Sequence, residues 1–290
     1  MPMRGRPDLG LLGGFAAVSL AAVGGGAVVC GFSDVPVAAW GRNIAAWGLG
    51  ALVGAGLAAG FPARLRGVTP WAAAAGLLAS LFAAGQQGVH RWVDAGPAHL
   101  NVAMLLLPGA YVALAGRART GPWPWVAAFA ALILLVAQPD ASQALALAAV
   151  TGFVAATSPG APALRLAAGA GAAGLAILAW MRPDPLAPVP EVEGIAGLAW
   201  SLSPAAAVVL VALMAATAAA PAVLTRKGPA DRRLAGQALS LGLLVWTAAP
   251  FLGAFPAPFA GLGPSPILGA WIAVGLLAGW RGDATPAFTL

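Results

Sequence analysis

The chain has 290 residues, 60% of them hydrophobic and 8% charged, with 15 Lys and Arg against 9 Asp and Glu for a formal charge of +6. A soluble domain carries about 25% charged residues, so a water-soluble globular protein is excluded and a polytopic membrane protein of mean hydropathy +0.87 remains. The basic residues fall in ones to threes along short connections and build no continuous face, which excludes nucleic acid as a partner; Cys30, the single cysteine, excludes a disulfide framework and a thiolate metal site.

Ten apolar segments, each closed by proline, glycine or charge, run over 9–31, 39–61, 71–87, 99–116, 122–137, 141–157, 162–180, 201–223, 235–255 and 264–280. A span needs roughly 20 apolar residues, and the shorter segments call for tilt or burial among neighbours. The first follows MPMRGRPD and is too long for the apolar core of a signal peptide, so it reads as a retained span. The expected fold is all-α and polytopic, with about ten transmembrane helices in one unit over 1–290. Small-residue runs at 48–60 and 166–176 let helix backbones approach closely.

Cytoplasmic connections collect Lys and Arg. With the N-terminus inside, the inner set is Arg4, Arg6, Arg64, Arg66, Arg117, Arg119, Arg165, Arg226, Lys227, Arg232, Arg233 and Arg281, and only Arg42, Arg91 and Arg182 fall outside. Both termini are then cytoplasmic. Six acids lie outside: Asp34, Asp94, Asp140, Asp184, Glu191 and Glu193.

The outer stretch 181–200, MRPDPLAPVPEVEGIAGLAW, interrupts the apolar series with four prolines and three acids. Chemistry at the membrane surface is expected to pass through it. Arg91 and Arg182 stand against the charge rule, so each is a candidate for diphosphate or sugar-phosphate binding, or else pairs with Asp94, Asp184 or lipid phosphate. Trp92 either stacks on a sugar or anchors at the interface. Asp140, after proline between two spans, is either functional or the N-cap of the next helix, capping being the favoured reading. His90 and His99 have no Glu at metal-ligand spacing, and Ser265 lacks a His and Asp partner for hydrolase chemistry.

Four stretches, in order, resemble the SEDS family, the polytopic peptidoglycan glycosyltransferases of bacterial elongation, division and sporulation. GVHRWVDAGP at 88–97 is similar to G-x-R-R-W-I-x-x-G, AQPDASQAL at 137–145 to Q-P-D-L-G-T-A-L, PVPEVEGI at 188–195 to P-E-x-H-T-D-F-I, and 255–279 to the closing V-P-L-P-F-I-S-Y-G-G-S-S and final span. Ten spans and inside termini are also what the family has. One motif departs: Q-P-S-E-x-x-K reads NVAMLLL here, so Asn101 replaces the glutamine, and Met104 and Leu107 replace an intramembrane acid and base. Losing both partners together avoids an orphaned charge. The family's paired glutamates align with Ser201 and Leu202, its histidine with Glu191, and the outer loop is short.

The resemblance implies polymerisation of lipid II or a similar polyprenyl-diphosphate sugar at the outer face of the bacterial inner membrane, with a class B penicillin-binding protein as partner. Glu193 aligns with the family's essential aspartate, and partial burial suits such a carboxylate to act as general base. Arg91, Trp92, Asp140, Arg182, Glu191 and Ser265 are the substrate-binding candidates. No cofactor is required by the residues; the ion that the chemistry admits is Mg2+, held by a carboxylate together with the substrate's phosphates. Two other readings stand beside this one. A non-catalytic SEDS-like lipid-binding or scaffold protein is favoured by the lost ion pair and the short loop. A flippase or transporter is disfavoured by spans almost free of ionisable residues.

Overall fold

A computed structural model describes residues 7–60, 67–96, 98–117 and 121–280. Each of the ten apolar segments contains a helix: α1 (Leu9–Phe32), α2 (Val37–Gly60), α3 (Thr69–Ser80), α4 (Val102–Arg117), α5 (Trp123–Ala137), α6 (Ala141–Thr157), α7 (Pro162–Trp180), α9 (Pro204–Thr225), α10 (Ala230–Ala248) and α11 (Pro264–Ala278). Local chemistry sets several starts. The Asp8 carboxylate accepts from Leu11 N–H at 2.9 Å to cap α1, and Ser203 Oγ accepts from Ala206 N–H at 3.0 Å to cap α9. Pro162, Pro204 and Pro264 open α7, α9 and α11, where no N–H is needed.

Among the described residues, five helices are long and apolar enough to cross a membrane: α1, α2, α7, α9, and α10 with the 3-10 turn that follows it. These keep much of their surface exposed, whereas the shorter α4, α6 and α11 are almost wholly buried. The lengths follow from this. A helix facing lipid must match the hydrocarbon thickness, while one enclosed by other helices is free of that constraint. The fold is that of a multi-pass membrane protein.

The sequence reading needs three corrections. The segment 99–116 opens as a strand, because β1 (Trp92–Ala95) and β2 (Ala98–Asn101) form an antiparallel hairpin that pairs Trp92 with Asn101, so the expected all-α fold carries one hairpin. The segment 71–87 is helical only to Ser80. The outer stretch 181–200 is not loop throughout, since α8 (Ile195–Leu202) begins within it and buries Ile195 and Ala199 against the chain beneath.

The connections expected on one side come together. At one end Arg232 donates to the Asp8 carboxylate at 2.6 Å and to Leu277 C=O at 3.2 Å, and Asp8 N–H donates to Ala278 C=O at 3.1 Å. The starts of α1 and α10 and the finish of α11 thus share that end. The connections expected outside gather at the other. Arg4, Arg6, Arg64, Arg66, Arg119 and Arg281 lie outside the described residues.

The core is packed by small residues. A Cβ on Gly275 of α11 would lie 2.4 Å from Gly54 O of α2, and one on Gly54 would lie 2.8 Å from Trp271 O. The two helices therefore meet main chain to main chain, as small residues permit. Met104 and Leu107 are both buried in the apolar core.

Candidate functional site

The four stretches singled out in the sequence meet at the end of the bundle opposite Asp8 and Arg232. The chain enters the first through Gly88, whose φ of 81° lies in the left-handed region that glycine tolerates. Three residues on, Arg91 is buried, and its guanidinium donates to Gln138 C=O at 3.1 Å and to Pro139 C=O in the second stretch. Arg91 Nη1 also lies 2.7 Å from Asp184 Oδ2 in the outer stretch, and Nε lies 3.9 Å from Asp140 Oδ2. Gln138 extends the tie, donating to Leu77 C=O at 2.9 Å and Ser80 Oγ at 2.7 Å. One guanidinium joins three separated segments.

The third and fourth stretches pair through their backbones. Ala257 N–H donates to Val192 C=O at 3.0 Å and Leu262 N–H donates to Glu191 C=O at 2.8 Å. Gly261 is required there, since a Cβ would stand 2.3 Å from Val192 O. From α2, the Asn43 amide donates to Gly261 C=O at 2.8 Å and accepts from Gly263 N–H at 3.0 Å. Ser265 Oγ accepts from Asn101 N–H at 2.8 Å, and the Asn101 side chain accepts from Met104 N–H at 3.0 Å at the start of α4.

These segments enclose a cavity of about 300 Å³ whose lining includes Trp92, His99, Asn101, Glu193, Pro256 and Ser265. A smaller space of about 40 Å³ continues from it past Trp92 and Glu193 to Arg91, Asp140 and Asp184. On its other side the cavity shares His99, Gly263 and Pro264 with an apolar groove of about 580 Å³ along α2, which Arg42 also lines. At the rim, Trp92 stacks on His99 with ring centroids 5.4 Å apart. His99 Nδ1 lies 2.6 Å from Asp94 Oδ1, and Nε2 lies 3.0 Å from Gln86 Nε2.

Glu193 closes a turn on its own loop, its Oε2 accepting from Val189 N–H at 2.7 Å. Partial burial, the largest cause, raises its carboxyl above the ordinary carboxylate range; the Val189 N–H opposes this, and the nearby charges of Asp184 and Glu191 reinforce it. A carboxylate so placed can take a proton from a hydroxyl brought to it.

Of the residues expected from sequence, Glu193, Arg91, Trp92, Asp140 and Ser265 line these two connected spaces. Glu191 lines neither and contributes its backbone C=O to the pairing with Leu262, and Arg182 also lines neither. Asp140 occupies the N-cap position of α6, its Oδ1 accepting from Ser142 Oγ at 3.4 Å while Oδ2 faces the Arg91 guanidinium at 3.9 Å. The pairing reading of Arg91 is the one that the geometry shows, with Asp184 as partner. Asn43 and Arg42 have no site role in the sequence reading, whereas His99 is expected there only to form hydrogen bonds, as it does with Asp94 and Gln86. A lone Asn within an apolar span was the available signal for Asn43, since polar groups at such depth need a partner.

These features define a class: a helical membrane protein whose connections at one end, stitched together by buried polar side chains, enclose a cavity that carries a carboxylate and shares a wall with an apolar groove. No protein-family model matches the chain, and no curated protein matches it. Solved structures do. The Thermus thermophilus rod shape determining protein RodA superposes with a TM-score of 0.67 at 23% identity over 91% of this chain and 94% of its own. An aspartate-to-alanine variant of that RodA gives 0.70 at 21% identity over 91% and 95%. A chain of a peptidoglycan synthase complex, described for its coordination of polymerization and crosslinking, gives 0.63 at 21% identity over 92% and 96%. The chain has the RodA fold, that of the SEDS proteins, along nearly its whole length.

Proposed function

We propose that this chain is a ten-span protein of the bacterial inner membrane, with both termini cytoplasmic, that polymerises a polyprenyl-diphosphate-linked disaccharide, lipid II, at the outer face. Glu193 acts as general base. It takes the proton of the C4 hydroxyl of one disaccharide as that oxygen bonds to the anomeric carbon of another, and the bond from that carbon to the diphosphate breaks so that undecaprenyl diphosphate departs. The observation that carries the reading is Glu193 on the wall of a cavity that continues into an apolar groove. Such a site offers a base beside the sugar and an apolar path for the lipid.

The leaving diphosphate needs a cation. Arg91 is held by two backbone carbonyls and Asp184, so Arg42, exposed on the wall of the groove, takes this role in preference to Arg91 or Arg182. A magnesium ion held by a carboxylate and the substrate's phosphates would share the charge. Trp92 and His99 offer a flat face for a sugar at the rim. A class B penicillin-binding protein is the partner that the RodA-like fold brings to mind, consistent with the synthase complex among the similar structures.

A second reading is a non-catalytic protein that binds the same lipid within a wall-synthesis complex. It is favoured by the engagement of Arg91 and by the apolar Met104 and Leu107. Purified lipid II incubated in liposomes with the protein, alone and with the penicillin-binding protein, separates the two. Polymer from wild type and none from Glu193→Gln supports the polymerase. Bound lipid II without polymer under either pairing supports the scaffold.

A further inference from the structure

At the end of the molecule away from the candidate site, α5 and α7 diverge beyond the last turn of α6 and leave a groove of about 640 Å³. Its walls are Trp125, Phe129, Ile133 and Leu164, and its polar end is Ser158 and Arg165. The size falls in the range of about 300–1,000 Å³ typical of ligand sites. Two features at the polar end point to an anion. The Ser158 hydroxyl, in a residue only 6% exposed, has no hydrogen-bond partner, although a buried polar group ordinarily finds one. The Arg165 guanidinium donates through Nε to Ala155 C=O at 2.9 Å and through Nη2 to Ala156 C=O, which fixes it across the end of α6. It has no carboxylate partner among the described residues, and a guanidinium has further N–H donors to offer.

The open side of the groove is formed by side chains that project outward from the bundle, Ile133 at 57% exposure and Leu164 at 72%. In a membrane these face hydrocarbon, so the occupant enters from the bilayer. Trp123, exposed at the first turn of α5, marks the level of the headgroups at this end, where indole rings settle.

We propose that this groove binds one anionic phospholipid of the leaflet at that end of the bundle, its phosphate against Arg165 and the Ser158 hydroxyl and an acyl chain along Trp125, Phe129 and Ile133. A zwitterionic lipid presents the same phosphate but adds a cation beside the guanidinium, so the site selects for net negative charge. The proposal is independent of the reading of the candidate site, which lies at the opposite end.

The test is native mass spectrometry of the full chain in detergent, titrated with phosphatidylglycerol and with phosphatidylcholine of the same acyl chains. Wild type is expected to retain phosphatidylglycerol about tenfold more strongly, since both lipids make the phosphate contact and only phosphatidylcholine brings a cation against the guanidinium. Arg165→Gln is expected to bring the ratio to about one. Ala130→Phe, which fills the groove and leaves the guanidinium in place, is expected to lose both lipids. Since Arg165 also holds the end of α6, Ser158→Ala is the companion variant should Arg165→Gln fail to fold, with about a threefold loss of phosphatidylglycerol expected. Equal retention of the two lipids by wild type, an unchanged preference in Arg165→Gln or, where that variant fails to fold, undiminished retention of phosphatidylglycerol by Ser158→Ala, would overturn the proposal.

Discussion

Arg91 Nη1 stands 2.7 Å from Asp184 Oδ2, and the same guanidinium reaches the carbonyls of Gln138 and Pro139. The first outer loop is thereby bound both to the α5–α6 turn and to the outer stretch before α8. Removing one partner of a buried pair costs about 3–5 kcal/mol, because the other is left uncompensated. Arg91→Ala is expected to lie near the lower bound, about 3 kcal/mol, and Asp184→Asn, at a partly exposed carboxylate, nearer about 1 kcal/mol. Unfolding of each variant in detergent against wild type measures both. A loss of activity in Arg91→Ala with stability unchanged would assign the arginine to substrate instead.

Glu193 gives a prediction with a sign. Burial raises its carboxyl above the ordinary value of 4.5, so the folded protein holds that proton more tightly than the unfolded chain does. The associated stability is complete at pH below the unfolded value and is lost as pH rises through the folded one. Glu193→Gln, which keeps an oxygen for the Val189 N–H, is therefore expected to be more stable than wild type at neutral pH, the two converging at acid pH. On the proposed function, polymerisation is expected to have the opposite dependence, rising with pH as the base is freed. Thermal unfolding and initial rates across one pH series test both.

At Gly261 the crowding is by main chain, with Val192 O at 2.3 Å and Ala257 O at 2.8 Å from the position of a Cβ. Gly261→Ala must push the outer stretch away from the 255–263 segment, straining the Val192 and Glu191 pairings. Overpacking of this kind costs about 1–3 kcal/mol. The helices should survive and lipid II binding should fall, measured by retention on immobilised protein beside a helical circular-dichroism spectrum unchanged from wild type.

Gly275→Leu attacks a different seam. It drives a branched side chain into Gly54 O, 2.4 Å from the Cβ position, so separation of α2 from α11 is expected to reach or exceed the upper end of the overpacking range, about 3 kcal/mol. Gly56→Leu, where a Cβ meets nothing within 4 Å, is the matched control and should be near neutral. A comparison of their thermal midpoints in one detergent decides the matter.

The helices were legible because each span carries its own apolar record and its own punctuation, as Pro162, Pro204 and Pro264 illustrate. The hairpin was not, since Ala98–Asn101 adjoins the apolar start of α4 without a break and its pairing with Trp92–Ala95 is a property of two segments. At the candidate site, the four stretches were found through their resemblance to a family, and Glu193 and Ser265 with them. Asn43 and His99 escaped because their significance lies in what the fold sets opposite them: Gly261 and Gly263 for one, Trp92 and Asp94 for the other. Asp140 was legible as the residue at the start of α6, whereas the guanidinium from 49 positions earlier that lies 3.9 Å from it was not.

Asn101 ends the hairpin, begins α4 and is bonded through its N–H to Ser265 at the head of α11. The hairpin is thus the short arm of a lever whose fulcrum is that single hydroxyl. A displacement of the exposed turn at Ala95 and Gly96 would therefore be felt at the start of α4 and the head of α11 together, on both sides of the cavity that Asn101 and Ser265 line.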